Sequence, residues 1–270
     1  MKERLTPRAI TPMEQTLASG CVPTSVAMAF SGFGIALTEQ ELVDRYFPTA
    51  NLPNTEPQSG VSNTDTVTGI IHIIDDLGLS GYLQLDVFIP GLCDYQSSEA
   101  KCIVKARPQA AGKMAKKIEK GTESREFFET LAKLAERGRV GIYTANAKKM
   151  KFRKEYDGGP LTKTVVDDFY CELSEFISKG HVLGPHGGMT MHMRTLDGSR
   201  IEPPSSQKRE KYVIIDPEGR SYSVSQTNLI MVDPQGIRGD VFDYLFRISP
   251  KGDNVTQQDG LRKFINIFRT

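Results

Sequence analysis

The sequence predicts an α+β protein, and three observations predict it. Apolar residues recur at helical spacing through much of the first half, while short alternating apolar stretches crowd the second half. No uninterrupted apolar run approaches the roughly 18 residues of a membrane span. Helices in the first half and antiparallel strands in the second make an α+β arrangement.

The first helix begins near Cys21. Val26, Ala27, Phe30 and Phe33 share helical spacing, Pro23 suits a first turn, and Gly32 and Gly34 end the run. Thr38 reads as an N-cap for a second helix over 39–46, with Leu42 and Val43 on its apolar side. A loop over 51–62 leads to a third helix over 64–77, with Val67, Ile70, Ile71 and Ile74 inward and a stop at Gly78. Tyr82–Ile89 alternates like a strand. Residues 165–178 are helix-like again, closed by Gly180. Strand-like pieces follow at 181–183, 189–196, 211–215, 221–225, 229–232 and 244–248.

Residues 90–160 interrupt this rhythm. Between Lys101 and Lys154 stand 16 Lys and Arg against 5 Asp and Glu, although the whole chain carries a formal charge of only +1. A helix over 122–137 and an extended stretch over 140–145 fall inside this segment. Such a basic block reads as a module with its own surface task, a docking site for an acidic macromolecule, or as a solvated helical face. The expected organisation is therefore an N-terminal helical part (1–89), a basic insertion (90–160) packed beside the cleft as a lid or docking subdomain, and a C-terminal sheet part (161–270).

Four cysteines, Cys21, Cys93, Cys102 and Cys171, are too few and too scattered for a disulfide framework, and they contain no C-x-x-C pair for structural zinc. The N-terminus is basic but no apolar stretch follows it, so a secretory signal is not expected and the cytoplasm is the default location, with export as an effector left open. Oligomeric state is not readable.

The chemistry concentrates on four pieces. Cys21 stands directly before a helix, where the partial positive charge of the helix N-terminus suits a thiolate nucleophile. Gln15, six residues earlier, has an amide that can donate to an oxyanion alongside the Cys21 N–H. The chain has four histidines. His72 reads as a helix-surface residue, and His181 and His186 sit in a Gly/Pro-rich loop over 180–188 that suits a turn or substrate binding. His192, on a strand, is the candidate general base. Asp216, in the strand-ending Asp216-Pro217, can hold the second imidazole nitrogen, with Asp197 and Asp233 as alternatives. Taken singly, each has an ordinary structural explanation: a core cysteine, a solvated glutamine, a strand histidine, a turn aspartate.

Together these residues resemble the papain-like cysteine peptidases, nearest to the bacterial group that includes the bacteriocin-leader-processing (double-glycine) peptidases. Gln15, Cys21, Pro23 and Ser25 match that group's first motif, Leu173 to Gly180 its helix end, His181–Leu183 its apolar strand, His192 its base and Asp216-Pro217 its orienting pair. Val22 replaces the family's usual glycine, and the loop 199–210 lengthens the gap between His192 and Asp216. The match covers about 10–85 and 165–235. It implies a papain-like fold, with the catalytic cysteine at a helix start packed on a C-terminal antiparallel sheet. It also implies cleavage of a peptide or isopeptide bond in a protein or peptide substrate through a thioester, without metal or organic cofactor. The same scaffold would serve a glutamine deamidase or transglutaminase. A catalytically inactive module that docks an acidic partner is the reading from a different class.

Overall fold

A computed structural model describes residues 8–53, 60–92, 94–96, 100–150, 163–186, 192–200, 211–215, 221–225, 231–233, 236–238 and 244–251. For Met150, 163–167, 185–186, His192, Arg200 and the strand residues between 211 and 238, only the backbone is described. The elements run in chain order α1 (Cys21–Ser31), α2 (Glu39–Arg45), α3 (Asn63–Asp76), β1 (Leu83–Phe88), β2 (Ile103–Lys105), α4 (Pro108–Ala115), α5 (Glu123–Glu136), β3 (Val140–Ala145), α6 (Ala147–Met150) and α7 (Lys163–Ser178). The strands β4 (His181–His186), β5 (His192–Leu196), β6 (Lys211–Ile215), β7 (Ser221–Ser225), β8 (Met231–Asp233), β9 (Gly236–Arg238) and β10 (Leu245–Pro250) complete it. The protein is α+β. Among the described residues, no helix is long and apolar enough to cross a membrane.

Local chemistry sets the helix starts. Thr38 and Glu41 form a reciprocal capping box at α2, and the Ser62 and Thr122 hydroxyls accept backbone N–H groups at the starts of α3 and α5. At α1 the burial is nearly all-round: Val22 through Phe30 are buried, so this helix belongs to the core rather than to its surface. Truncating a core side chain such as Phe30, fully buried, costs about 3–5 kcal/mol in comparable settings.

Eight strands form the main sheet in the order β2-β3-β1-β10-β4-β5-β6-β7, and β8 and β9 pair separately. The C-terminal strands β10, β4, β5, β6 and β7 pair antiparallel as expected, and what is corrected is the confinement of the sheet to the C-terminal part. Strand β1 lies parallel to β3, with Leu85 opposite Val140, and the strands from the first half extend the same sheet. One face carries Leu83, Leu85, Val87, Ile142, Leu183, Phe246 and Ile248 against α1, α3 and α5. The other carries Phe88, Tyr143 and Arg247 against Phe169 and Phe176 of α7.

The segment 90–160 also differs from the expected lid. Its described part supplies β2, α4, α5 and β3, and Ala110, Phe127, Phe128, Leu131, Val140 and Ile142 belong to the same core cluster as α1 and α3. The reason is periodicity. The basic residues fall on the solvent sides of α4 and α5 and just past their ends, so the apolar side of each helix is buried while Lys116, Lys117, Lys133 and Arg137 stay in solvent.

On the α7 face, Asp86 of β1 stands directly opposite Arg247 of β10 and bonds to its guanidinium, with both side chains at most 5% exposed. Arg247 also donates to the Phe176 carbonyl at 2.7 Å and lies 3.8 Å over the Phe176 ring. Asp86→Ala, which strands a buried guanidinium, should lower the unfolding free energy by about 3–5 kcal/mol, whereas the double variant Asp86→Leu/Arg247→Met should lose far less. Urea denaturation checks this, and equal losses in both variants would contradict it.

Candidate functional site

The site is built on the uncapped start of α1. The residue before Cys21, Gly20, offers no side-chain cap, and Pro23 has no N–H. The backbone N–H groups of Cys21 and Val22 therefore meet no acceptor among the described residues. The Cys21 thiol is free and half-buried at that position. Gly20 is needed here by space. A Cβ on it would come within 1.8 Å of Glu39 Oε1.

That contact explains how the loop is held. Glu39, in the first turn of α2, accepts hydrogen bonds from Thr16 N at 2.7 Å, from the Thr16 hydroxyl and from Leu17 N at 3.3 Å. The loop then closes on itself, because Gly20 N and Gln15 Nε2 both donate to the Leu17 carbonyl, each at 3.1 Å. Two donors sharing one acceptor can stand no farther apart than twice that distance. Gln15 is thus folded back to the residue before Cys21. One amide hydrogen of Gln15 is committed to Leu17, and its other remains as a donor.

Helix α1 is latched to β5 by two reciprocal bonds. Ser25 Oγ donates to the Met193 carbonyl at 3.2 Å, and Thr195 Oγ1 donates to the Ser25 carbonyl at 3.2 Å. Cys21 lies one turn before Ser25, about 6 Å along the helix. His192 begins β5, about 3–10 Å before Met193 and Thr195 along the strand. The far end of α1 meets the far end of β5, since Gly32 packs on His181 and the Ile10 N–H donates to Asp197 at 3.1 Å. Helix and strand therefore run the same way, and the backbone of His192 stands at the Cys21 end.

His186 pairs in register with His192, so two histidine backbones share that end. Asp216 lies outside the described residues. Strand β6 runs toward the same end and reaches Ile215 opposite Thr195. Asp233 closes β8 in the separate two-stranded sheet.

His181 and Asp197 are elsewhere. His181, expected beside a turn, is a fully buried strand residue under the C-terminal end of α1, edge-on to Phe33 at 5.0 Å. Its Nδ1 is 3.8 Å from Asp197 Oδ1, and neither ring nitrogen closes a hydrogen bond of good geometry. Burial pushes its pKa down to about 4, against the opposing pull of the Asp197 carboxylate and the Gly32 backbone. Asp197 is itself engaged by Ile10 N and by the backbone and hydroxyl of Ser199. Its place is a full strand length from His192. His72, as expected, is exposed on α3.

Sequence reading missed Glu39, Ser25 and Thr195 as positioning residues. The capping signal at Thr38 puts Glu39 in a first helical turn, but nothing in the linear pattern joins it to Thr16. Ser25 is part of the motif around Cys21, yet its bond to β5 crosses 168 residues. Comparison with known proteins adds no relative: no family model, curated protein or solved structure matches the chain.

Two predictions follow from this geometry. Cys102 is fully buried, and burial with the nearby Glu172 carboxylate pushes its thiol up to about 12, while Cys171 is exposed on α7. Iodoacetamide at neutral pH should therefore label Cys21 first, Cys171 more slowly and Cys102 only after unfolding, read by peptide mass spectrometry. Labelling of Cys171 or Cys93 ahead of Cys21 would contradict the assignment of the nucleophile.

The second concerns acid stability. A histidine held neutral in the fold but protonated in the unfolded chain removes stability as pH falls from about 6.5 toward 4. His181→Leu should flatten that part of the stability-versus-pH curve in parallel urea titrations. Identical pH dependence in variant and wild type would show that His181 is not the group responsible.

Proposed function

We propose that the chain is a thiol-dependent acyl-transfer enzyme, a papain-like hydrolase acting on peptide or isopeptide bonds. The observation that carries this reading is the direction in which α1 lies on β5, with the free Cys21 thiol at one end and the His192 backbone at the same end.

In this reading the His192 imidazole takes the Cys21 thiol proton, and Sγ attacks the substrate carbonyl carbon. The oxyanion that forms is held by the Cys21 N–H and by the uncommitted amide hydrogen of Gln15. Collapse breaks the C–N bond, and the imidazolium gives its proton to the departing amine. Water then opens the thioester, with His192 again accepting a proton. Asp216 fixes the imidazole tautomer throughout. Glu39 contributes by keeping Gln15 and Gly20 on one acceptor, so it positions the site without touching substrate.

Mass spectrometry of a proteome incubated with the protein tests this. New peptide termini should appear with wild type and with His186→Ala, and should fall by about 10⁴-fold with Cys21→Ala and with His192→Ala. Loss in His186→Ala with retention in His192→Ala would move the base to His186. The small mass gain of glutamine deamidation, without new termini, would replace the hydrolase by an amide-modifying enzyme. No Cys21-dependent change of either kind would overturn the proposal.

A further inference from the structure

A cleft of about 570 Å³ opens at the other end of the sheet from Cys21, between the starts of β1 and β3 and the ends of α5 and β10. The topology fixes its remoteness. Ile248 of β10 stands opposite His181, so β1 and β4 both start, and β5 ends, on the side away from His192.

The rim is cationic. Lys105, Arg137, Arg139 and Lys251 line it. Arg139 is paired with Asp75. Lys251 donates to the Ser80 carbonyl at 3.0 Å, a bond that satisfies one hydrogen and cancels no charge. Lys105 and Arg137 are exposed and meet no carboxylate among the described residues. The one carboxylate in the lining, Asp86, is already taken by Arg247. Three positive charges, at or just past the ends of β2, α5 and β10, therefore face one space with no free carboxylate among the described residues that line it.

The floor adds a backbone donor. Along β3, the Ile142 carbonyl accepts from Ala106 on the β2 side, and the Tyr143 carbonyl accepts from Ile89 on the β1 side. Alternation then turns the N–H and carbonyl of Val140 to the β2 side. Strand β2 pairs only as far as Tyr143, and the chain leaves β3 after Ala106, so no strand among the described residues meets Val140 there.

We propose that this cleft binds a small polyanion, a molecule carrying two or more phosphate or carboxylate groups. Its volume lies in the range of small-ligand sites, about 300–1,000 Å³. Spaced cations suit several anionic groups better than one, and the Gln96 amide in the lining can orient the uncharged part of the ligand, whereas the Gln84 amide nitrogen already donates to Asp86 at 3.1 Å. The site is independent of thiol chemistry at Cys21.

Isothermal titration of the full chain with inorganic pyrophosphate and, separately, with citrate tests it. At least one should bind with a single site, more weakly at physiological than at low salt. Lys105→Ala/Arg137→Ala should weaken that binding about tenfold or more, while Lys116→Ala/Lys117→Ala, at the end of α4, and Cys21→Ala should leave it unchanged. Should the first double variant melt early, the single exposed change Lys105→Glu gives the same reading. Pyrophosphate alone would identify phosphate ligands, and citrate alone carboxylates, each in support. Binding of neither, or equal weakening in the Lys116/Lys117 control, would overturn the proposal.

Discussion

The buried pairing of Asp86 with Arg247 joins the two halves of the chain. Strand β1 carries β3 and β2 on one side, and β10 carries β4 through β7 on the other. The seam between them brings residues 83–88 against 245–250. Hydrogen bonding alone would allow that seam to slip. A one-residue shift of β10 would turn Arg247 into the apolar face beneath α1, α3 and α5 and Phe246 out of it, leaving Asp86 alone on the α7 face. Taking two charges out of water is costly, so the pair is weak evidence of net stability. Its work here is selective: Arg247 finds its carboxylate, the Phe176 carbonyl and the Phe176 ring together in this register.

From that seam the candidate site follows by a short chain of contacts. Strand β4 pairs with β10, β5 with β4, and α1 is latched to β5 through Ser25 and Thr195. The loop before Cys21 is then held by a carboxylate from the next helix rather than by the sheet. Backbone, sheet register and one surface carboxylate thus act on the same few residues. This arrangement suits chemistry that needs a nucleophile on a rigid element and an oxyanion donor on a loop.

The two ends of α1 present opposite electrostatic settings. At its start, backbone N–H groups meet no acceptor among the described residues and the half-buried thiol faces partial positive charge. At its end, His181 is buried neutral between Gly32 and Asp197. A Cβ at Gly32 would stand 2.0 Å from His181 Nε2, so the helix can lie this close to β4 only because that position is glycine. His181, expected beside a turn, is therefore a packing residue, and the described part of the basic stretch contributes to the common core. Both outcomes have the same cause: side chains are sorted by the face they occupy, not by the segment they come from.

Much was legible in the sequence because it is local. The Thr38 cap and the helical spacing of apolar residues set α2, α3, α5 and α7 to within a residue or two, and β3, β6 and β7 fall where alternation puts them. The placement of Cys21 at a helix start was equally local. What the sequence could not carry was long-range pairing: the parallel docking of β3 on β1, the bond from Ser25 to β5, the Glu39 clamp on Thr16, and the exile of His181 and Asp197 from the Cys21 end. These depend on which faces meet once the chain closes. The sequence by itself determined the elements and the kinds of side chain available for chemistry. Only the tertiary structure decided which of them share an end of the sheet, because register across strands distant in sequence is set by burial and not by spacing.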